Sequence, residues 1–308
     1  MKRIAILLLA LLLLLPACGR AAPEPAPEES TTAPVTQIIA EPTWRLVPTD
    51  DAMKADIAAW WGEPDAAWEL GELKLSEAKT VILRRGWNAD ESFVVSSTIL
   101  LRDETDGSET VLLEHNNPNY STSSSRSPIP AQALDERYFV INWYYYEGSA
   151  GCSVFDTQEK RDIPIQFPEG SLSARFIGFA GGWLYFGHRA YSYEPGDPLH
   201  ITRIALDALL ADSNLPAAEM IRDTQVGYTA QYLISPGGRY LAASESRADY
   251  ATDEDAFLLV YDLAQGKNVL RLPRPEGYGF WYTRFADDNM LYFYDFNDDS
   301  HVLEVMLP

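Results

Sequence analysis

The chain has 308 residues and carries 45 Asp and Glu against 24 Lys and Arg, which gives a formal net charge of −21. So negative a chain argues against a role in binding nucleic acid or in electrostatic docking on anionic lipid. Hydrophobic residues make up 46% of it, which is enough for the core of one large domain or two small ones.

The first 17 residues have the pattern of an export signal. Lys2 and Arg3 form a short basic segment, and Ile4 to Leu15 is an unbroken apolar run of 12 residues. A transmembrane helix needs about 20 apolar residues, so this run has the length of a signal-peptide core instead. We therefore predict that residues 1–17 are a signal peptide that is removed.

The signal ends in Leu15-Pro16-Ala17-Cys18. This segment resembles the bacterial lipobox, in which a leucine and a small residue precede an invariant cysteine. The resemblance implies cleavage before Cys18 and a diacylglycerol on its thiol. It also implies that Cys18 anchors the protein to the extracytoplasmic side of a bacterial cell membrane. The alternative is an ordinary secretory signal with a chance cysteine.

Residues 18–43 are predicted to be a disordered tether that begins with the lipidated cysteine. The segment from Gly19 to Val35 is rich in Pro, Ala, Glu, Ser and Thr, and has no large apolar residue before Val35. Such a composition cannot bury enough surface to offset chain entropy. In a polyproline conformation, residues 19–43 would span roughly 75 Å. We expect the folded domain at residues 44–308.

The domain is expected to begin with a short helix, which Thr49 or Asp50 can cap and Gly62 can end. Beyond it, short apolar strands alternate with turns. Five strand–turn–strand units recur, with spacings of 45, 45, 57 and 50 residues between their second strands. Those second strands are aligned on Phe93, Tyr138, Trp183, Tyr240 and Met290.

Several units continue into a further pair of strands, as in residues 98–114, 152–167 and 257–272. Four short strands in every 40–50 residues are typical of a blade of a β-propeller. The sequence therefore predicts an all-β fold, a five-bladed β-propeller with a short N-terminal helix. A six-bladed propeller, with a degenerate blade within residues 36–78, is the alternative.

One hairpin has a more specific pattern. Ser235 to Ala243 reads Ser-Pro-Gly-Gly-Arg-Tyr-Leu-Ala-Ala, and Asp262 to Lys267 reads Asp-Leu-Ala-Gln-Gly-Lys. Both segments resemble the WD40-like repeats of TolB-type and dipeptidyl-peptidase-type propellers, although Gly237 replaces the usual aspartate. The resemblance implies a fold and says little about activity.

The C-terminal segment predicts how such a ring closes. His301 to Leu307 is expected to be the third strand of the last blade, which then lacks an outer strand. We predict that a strand from Trp68–Ser76 supplies it, because an open ring would leave two unpaired edges.

The sequence contains no constellation that indicates catalysis, a metal or a cofactor. The four histidines, His115, His188, His200 and His301, form no close ligand pair, and no Gly-x-Ser-x-Gly motif occurs. Asp295, Asn297 and Asp299 alternate as in a calcium loop, but the required Gly and Glu are missing. We expect no catalytic residue, metal or cofactor.

The candidate binding residues are the aromatic side chains Trp143, Tyr144, Tyr145 and Tyr146. On a strand, Trp143 and Tyr145 would face one way and the other two the opposite way. They predict a stacking platform for a sugar or a peptide at a propeller rim. The alternative is packing between blades.

These features favour a membrane-anchored, extracytoplasmic module that binds a protein or a glycan. One alternative is a carbohydrate-active enzyme of the five-bladed type, which would use three acids on the innermost strands. The segments Lys79–Trp87 and Ala174–Gly182, which we took to be innermost strands, carry no acid. The other alternative is a structural scaffold in an envelope assembly.

Overall fold

The structure is a computed structural model that describes residues 42–55, 71–87, 89, 94–116, 127–145, 148–169, 174–188, 199–223, 229–245, 257–273, 282–294 and 300–308. The chain divides into two compact units, Met1–Ile39 and Ala40–Pro308, and every described residue belongs to the second. Cys18 lies outside the described residues. Thr43, which we assigned to the tether, already belongs to the first strand. No helix among the described residues is long and apolar enough to cross a membrane.

The described strands form five four-stranded antiparallel sheets, which we number in chain order. Sheet 1 contains β2 (Glu72–Ser76), β3 (Lys79–Trp87), β4 (Val94–Asp103) and β5 (Glu109–Asn116). Sheet 2 contains β6 (Ser127–Ala133), β7 (Tyr138–Tyr145), β8 (Gly148–Asp156) and β9 (Arg161–Pro164). Sheet 3 contains β10 (Ala174–Ala180), β11 (Trp183–His188), β12 (Leu199–Ala205) and β13 (Ala218–Asp223).

Sheet 4 contains β14 (Thr229–Ile234), β15 (Tyr240–Glu245), β16 (Phe257–Asp262) and β17 (Lys267–Pro273). Sheet 5 contains β18 (Tyr282–Phe285), β19 (Met290–Tyr294), β20 (His301–Met306) and, as its outer strand, β1 (Thr43–Pro48). Among the described residues, two helical segments interrupt this pattern, at residues 51–55 and at Leu206–Ala211.

Consecutive sheets pack face to face, because alternate residues of each strand point to opposite faces. Four hydrophobic clusters lie between sheets 1 and 2, 2 and 3, 3 and 4, and 4 and 5. In β7, for example, Phe139 and Ile141 contribute to the cluster with sheet 1, whereas Val140 contributes to the cluster with sheet 3. Each central sheet is therefore buried on both faces.

The two ends of the sheets differ. At the end that we call the turn end, short connections join the first strand to the second in every sheet and the third to the fourth in sheets 1, 2 and 4. In sheet 3 the helix Leu206–Ala211 lies in the connection between the third and fourth strands, and in sheet 5 the outer strand comes from the start of the domain. At the opposite end, the loop end, the second strand leads to the third and the fourth leads to the next sheet. Most of the connections at the loop end lie wholly or mainly outside the described residues.

A five-residue turn recurs at the turn end of three sheets. It begins with the last residue of the third strand, an aspartate, whose carboxylate accepts backbone N–H groups of the following residues. The fifth residue has a positive φ, which glycine adopts without strain. The three turns are Asp103–Gly107, Asp156–Lys160 and Asp262–Gly266.

Two of these aspartates also form an ion pair with an arginine that immediately precedes the second strand. Arg137 donates two hydrogen bonds to the carboxylate of Asp156, at 2.9 and 2.5 Å, and Arg239 lies 3.4 Å from that of Asp262. Both aspartates are 1% exposed, so the arginine compensates a buried charge. Hydrogen bonds from Arg137 therefore hold the pKa of Asp156 below its usual range.

The hairpin that resembles WD40-like repeats forms as predicted. It connects β14 to β15, and the buried hydroxyl of Ser235 accepts the backbone N–H groups of Arg239 and Tyr240 at 3.1 Å. Gly238 has a φ of +75°. The N-terminal helix also begins as predicted: Asp50 caps it by accepting the N–H of Met53 at 2.8 Å. Gly62, its predicted end, lies outside the described residues.

Two details of the predicted repeat are wrong. The second strands of sheets 2 to 5 start at Tyr138, Trp183, Tyr240 and Met290 as aligned, but that of sheet 1 starts at Lys79 and not near Phe93. The pattern around Phe93 belongs to the connection between β3 and β4. The polar residues of this connection resemble those of a turn between a first and a second strand, which is why the alignment was wrong.

The strand that closes sheet 5 is also different from the predicted one. His301–Met306 is the third strand, as expected, but its outer neighbour is β1 and not a strand from Trp68–Ser76. Within that segment, β2 is joined to β3 by the two-residue turn of Glu77 and Ala78, and Ser76 pairs with Lys79. Such a short turn commits β2 to β3 and makes it the first strand of sheet 1.

A buried polar contact links sheets 2 and 3. Asn142 Oδ1 accepts a hydrogen bond from the Cys152 thiol at 3.2 Å and from the N–H of Phe176 at 3.3 Å. Cys152 is 4% exposed, and burial raises the pKa of its thiol. The thiol is therefore a structural group.

Candidate functional site

The predicted aromatic residues lie at the loop end of sheet 2. Trp143 and Tyr144 are near the end of β7, are partly buried, and pack against the cluster between sheets 1 and 2. Tyr145 is the last residue of β7, and only its backbone is among the described parts of the structure. Tyr146 lies outside the described residues.

Trp143 is fixed by neighbours from two sheets. Its indole Nε1 donates a hydrogen bond to the hydroxyl of Ser153 on β8, at 2.9 Å. His115 of β5 contacts its ring edge-on, with 5.4 Å between the ring centroids. A tryptophan held in this way is a rigid aromatic surface, which loses little conformational entropy when a ligand binds.

A β-bulge lies opposite the predicted aromatic residues. Trp143 pairs with Gly151 and Tyr144 with Ser149, so β8 has one extra residue, Ala150, at this point. Gly151 has a φ of +132°. An extra residue of this kind bends the strand that carries it and increases the local twist of the strand pair. Trp143 and Tyr144 both contact the cluster between sheets 1 and 2.

A further tryptophan lies at the loop end of the adjacent sheet. Trp87 is the last residue of β3, and 51% of its surface is exposed. The strands β3 and β7 are both second strands of neighbouring sheets, so both end on the same side of the molecule. We call Trp87, His115, Trp143 and Tyr144 the aromatic rim. Trp87 was missed in the sequence because no other aromatic residue adjoins it.

A buried carboxyl group lies behind the aromatic rim. Ser153, which accepts the indole N–H of Trp143, also forms a hydrogen bond to Asp162 on β9. Burial raises the pKa of Asp162, and its Oδ1 is buried without a hydrogen-bond partner. Such a carboxyl group is destabilising in its ionised form.

In sheet 3, a histidine forms a hydrogen bond equivalent to the one between Trp143 and Ser153 in sheet 2. His188 lies five residues into β11, as Trp143 does in β7, and its Nε2 shares a hydrogen bond of 2.8 Å with the hydroxyl of Thr202. The ring of His188 also stacks on that of His200, with 4.4 Å between centroids. Both histidines are 6% exposed. The two residues are cross-strand partners, which sequence spacing alone does not reveal.

The electrostatic surroundings of His200 oppose its protonation. Burial and the charge of Arg222 lower its pKa, and Glu219 offsets part of this effect. The Nε2 of His200 lies 3.1 Å from Glu219 Oε2, at an ion-pair distance but without the geometry of a hydrogen bond. A bulge in β13 at Met220 places Glu219 on the face of the sheet that carries the histidines.

The first strands of the sheets are the innermost ones, because β6 contacts β2 and β10, and β14 contacts β10 and β18. Lys79–Trp87, which we took to be innermost, is instead a second strand. Among the described residues of the first strands, Glu72 is the one acid, and Arg102 lies 3.2 Å from it. No group of three or more His, Cys, Asp or Glu side chains in the described part of the chain is arranged to hold a metal.

Comparison with known proteins identifies the fold and no family. No family model and no curated protein sequence matches the chain. Among solved structures, an oligogalacturonate lyase in complex with manganese is 14% identical, with a TM-score of 0.52 over 75% of this chain and 62% of the lyase. The β-propeller domain of the Trilobed protease from Pyrococcus furiosus is 16% identical, with a TM-score of 0.44 over 74% and 63%.

TolB from Acinetobacter baumannii is 12% identical, with a TM-score of 0.38 over 74% of this chain and 51% of TolB. The chain thus spans less than two thirds of each of these proteins. The fold is an all-β propeller, which confirms the prediction from the strand repeat.

Proposed function

We propose that this protein is a lipid-anchored, extracytoplasmic β-propeller that binds a protein or a glycan at its aromatic rim. The observation that carries the binding role is Trp87, which exposes half of a large apolar side chain at the same end of the sheets as the ordered ring of Trp143. Exposed tryptophan is costly in water and is enriched where proteins bind ligands. The anchoring role is supported by the lipobox at Leu15–Cys18.

The binding role is tested with two tryptophan variants. Trp87→Ala removes the exposed ring from the rim, and Trp44→Ala is the matched control, because Trp44 is 49% exposed but lies on β1 of sheet 5. The probes are a printed array of cell-envelope glycans and a set of purified envelope proteins. We expect the strongest signal of the parent to fall at least tenfold in Trp87→Ala only. Equal signals in both variants, or no signal in the parent, would overturn the role.

The anchoring role is tested separately with Cys18→Ser. We expect the parent to partition into the detergent phase and the variant to appear in the aqueous phase, with its precursor uncleaved. If the variant partitions like the parent, the lipobox interpretation is wrong. The outcome does not depend on any ligand, so the two roles can fail independently.

The other two functions have weaker support. A carbohydrate-active enzyme would need several acids on the first strands. The described residues of these strands contain one acid, Glu72, and it forms an ion pair with Arg102. A scaffold in an envelope assembly would not need the exposed Trp87 to lie at the same end of the sheets as an ordered ring. The binding role accounts for both observations.

A further inference from the structure

The outer strand of sheet 5 is less buried than the outer strands of the other sheets. Each of β5, β9, β13 and β17 has at least one buried residue, whereas β1 has none. Trp44 and Leu46 of β1 are 49% and 46% exposed, although they lie opposite the fully buried Val305 and Leu303 of β20. Little hydrophobic burial therefore holds β1 in place.

What holds β1 is mainly the ladder to β20 and one ion pair. Arg45 donates to Glu304 at 2.7 Å through Nε and NH2, and the N–H of Thr49 donates to the carbonyl of Ser300 at 3.0 Å. The arginine side chain is 69% exposed, whereas that of Glu304 is 10% exposed. The carboxylate of Glu304 is thus paired with a partner that solvent can reach.

Release of β1 would leave a specific vacancy on β20. Val302, Leu303 and Val305 remain buried on the rest of the sheet, so β20 would keep its position as an unpaired edge. The strand that fills this edge must hydrogen-bond along its length and must place a cation opposite Glu304. β1 of a second copy of this chain meets both requirements in the same register.

The chain length between β1 and β2 allows this exchange. The 23 residues 49–71 connect the two strands and span up to about 75 Å when extended. β1 can therefore leave sheet 5 without displacing a strand of sheet 1. We propose that β1 exchanges between two copies and makes a strand-swapped dimer, a property independent of the function proposed above.

Two charge-reversed variants test the proposal. Arg45→Glu places two acids opposite each other, and Glu304→Arg places two arginines opposite each other. In a swapped heterodimer of the two variants, β1 of each copy meets the complementary charge on the other. We expect each variant alone to stay at the monomer mass in light scattering, and an equimolar mixture of the full-length chains in detergent to double in mass.

The double variant Arg45→Glu/Glu304→Arg is the control, because it restores the ion pair both within one chain and between two swapped copies. It should therefore match the parental chain in mass and in thermal stability. A mixture that remains monomeric overturns the proposal. This holds even when the single variants are partly unfolded, because complementation must then rescue them.

A second measurement uses cysteine pairs. Leu46 and Leu303 are register partners, as are Val260 and Leu270 in sheet 4, whose outer strand is better buried. A chain with Leu46→Cys is mixed with a chain with Leu303→Cys, warmed, cooled and oxidised. We expect the disulfide between copies to exceed the same product from the Val260→Cys and Leu270→Cys mixture at least fivefold. Equal yields overturn the proposal.

Discussion

The turn end and the loop end of the sheets use their polar side chains in opposite ways. At the turn end, Asp103, Asp156 and Asp262 accept backbone N–H groups of their own turns. At the loop end, Trp143 and His188 bond to hydroxyl groups on the next strand and contact rings from other strands. Local contacts therefore specify the fold at one end, and contacts between strands build a surface at the other.

The strongest test of this difference is the removal of a turn-end carboxylate. Asp156→Ala leaves Arg137 without its buried partner and leaves the N–H groups of Gln158 and Glu159 unsatisfied. We expect a loss of about 3 kcal/mol in the free energy of unfolding, measured by urea denaturation. Glu159→Ala is the control, because Glu159 is 55% exposed and lies 3.5 Å from the same arginine. A similar loss in both variants would contradict the assignment.

A smaller effect of opposite sign is expected for the buried acid behind the aromatic rim. The pKa of Asp162 is raised by burial, so the unfolded chain ionises first and stability falls as the pH rises above about 3.9. Asp162→Asn removes this ionisation and keeps the size of the side chain. We expect the variant to be more stable than the parent by about 1 kcal/mol at pH 8, and the gain to vanish near pH 3. A gain that does not depend on pH would point to a different cause.

The stacked histidines should give the loop end its own dependence on pH. The pKa of His200 is lowered in the folded protein, so stability is present at pH 7.5 and is lost as the pH falls below the unfolded value of about 6.5. We expect a loss of roughly 1 kcal/mol between pH 7.5 and pH 5, which His200→Gln should abolish. Thermal unfolding at the two pH values measures it. His301→Gln, on an exposed residue, is the control.

The smallest effect is expected at a turn-end position that lacks its glycine. Lys160 has a φ of 51°, where the equivalent turns have Gly107 and Gly266. A lysine in this conformation destabilises the folded protein by about 1 kcal/mol. Glycine avoids this strain but loses more backbone entropy on folding, so the net gain from glycine is smaller. We expect Lys160→Gly to stabilise the protein by about 0.5 kcal/mol and Gly266→Ala to destabilise it. If both variants lose stability, the two turns are not equivalent.

The sequence predicted the repeat well where turns are short and local. The starts of β7, β11, β15 and β19 were correct because each follows a turn of Gly, Asp or Asn, whose chemistry depends on adjacent residues. The closing strand was assigned wrongly, because the pairing of β1 with β20 joins residues more than 250 positions apart. No local pattern records such a pairing.

The candidate site shows the same limit. The cluster of Trp143 and Tyr144 is visible in the sequence, but its neighbour His115 comes from another strand. So does Asp162, which bonds to Ser153 behind Trp143. Trp87 belongs to another sheet, and the bulge at Ala150, opposite the aromatic residues, has no clear sequence signature. The pair of His188 and His200 became visible only through the register of β11 and β12.

The alkylation rate of the buried Cys152 thiol can be used to measure how often the propeller opens. Its sulfur bonds to Asn142 and to the carbonyl of Ala174, and its raised pKa keeps it protonated. A thiolate is the form that alkylating reagents attack, so modification must wait until sheets 2 and 3 separate. The rate at which iodoacetamide labels this residue therefore measures how often those two sheets open transiently. The native cysteine serves as the probe, so no labelling site has to be introduced.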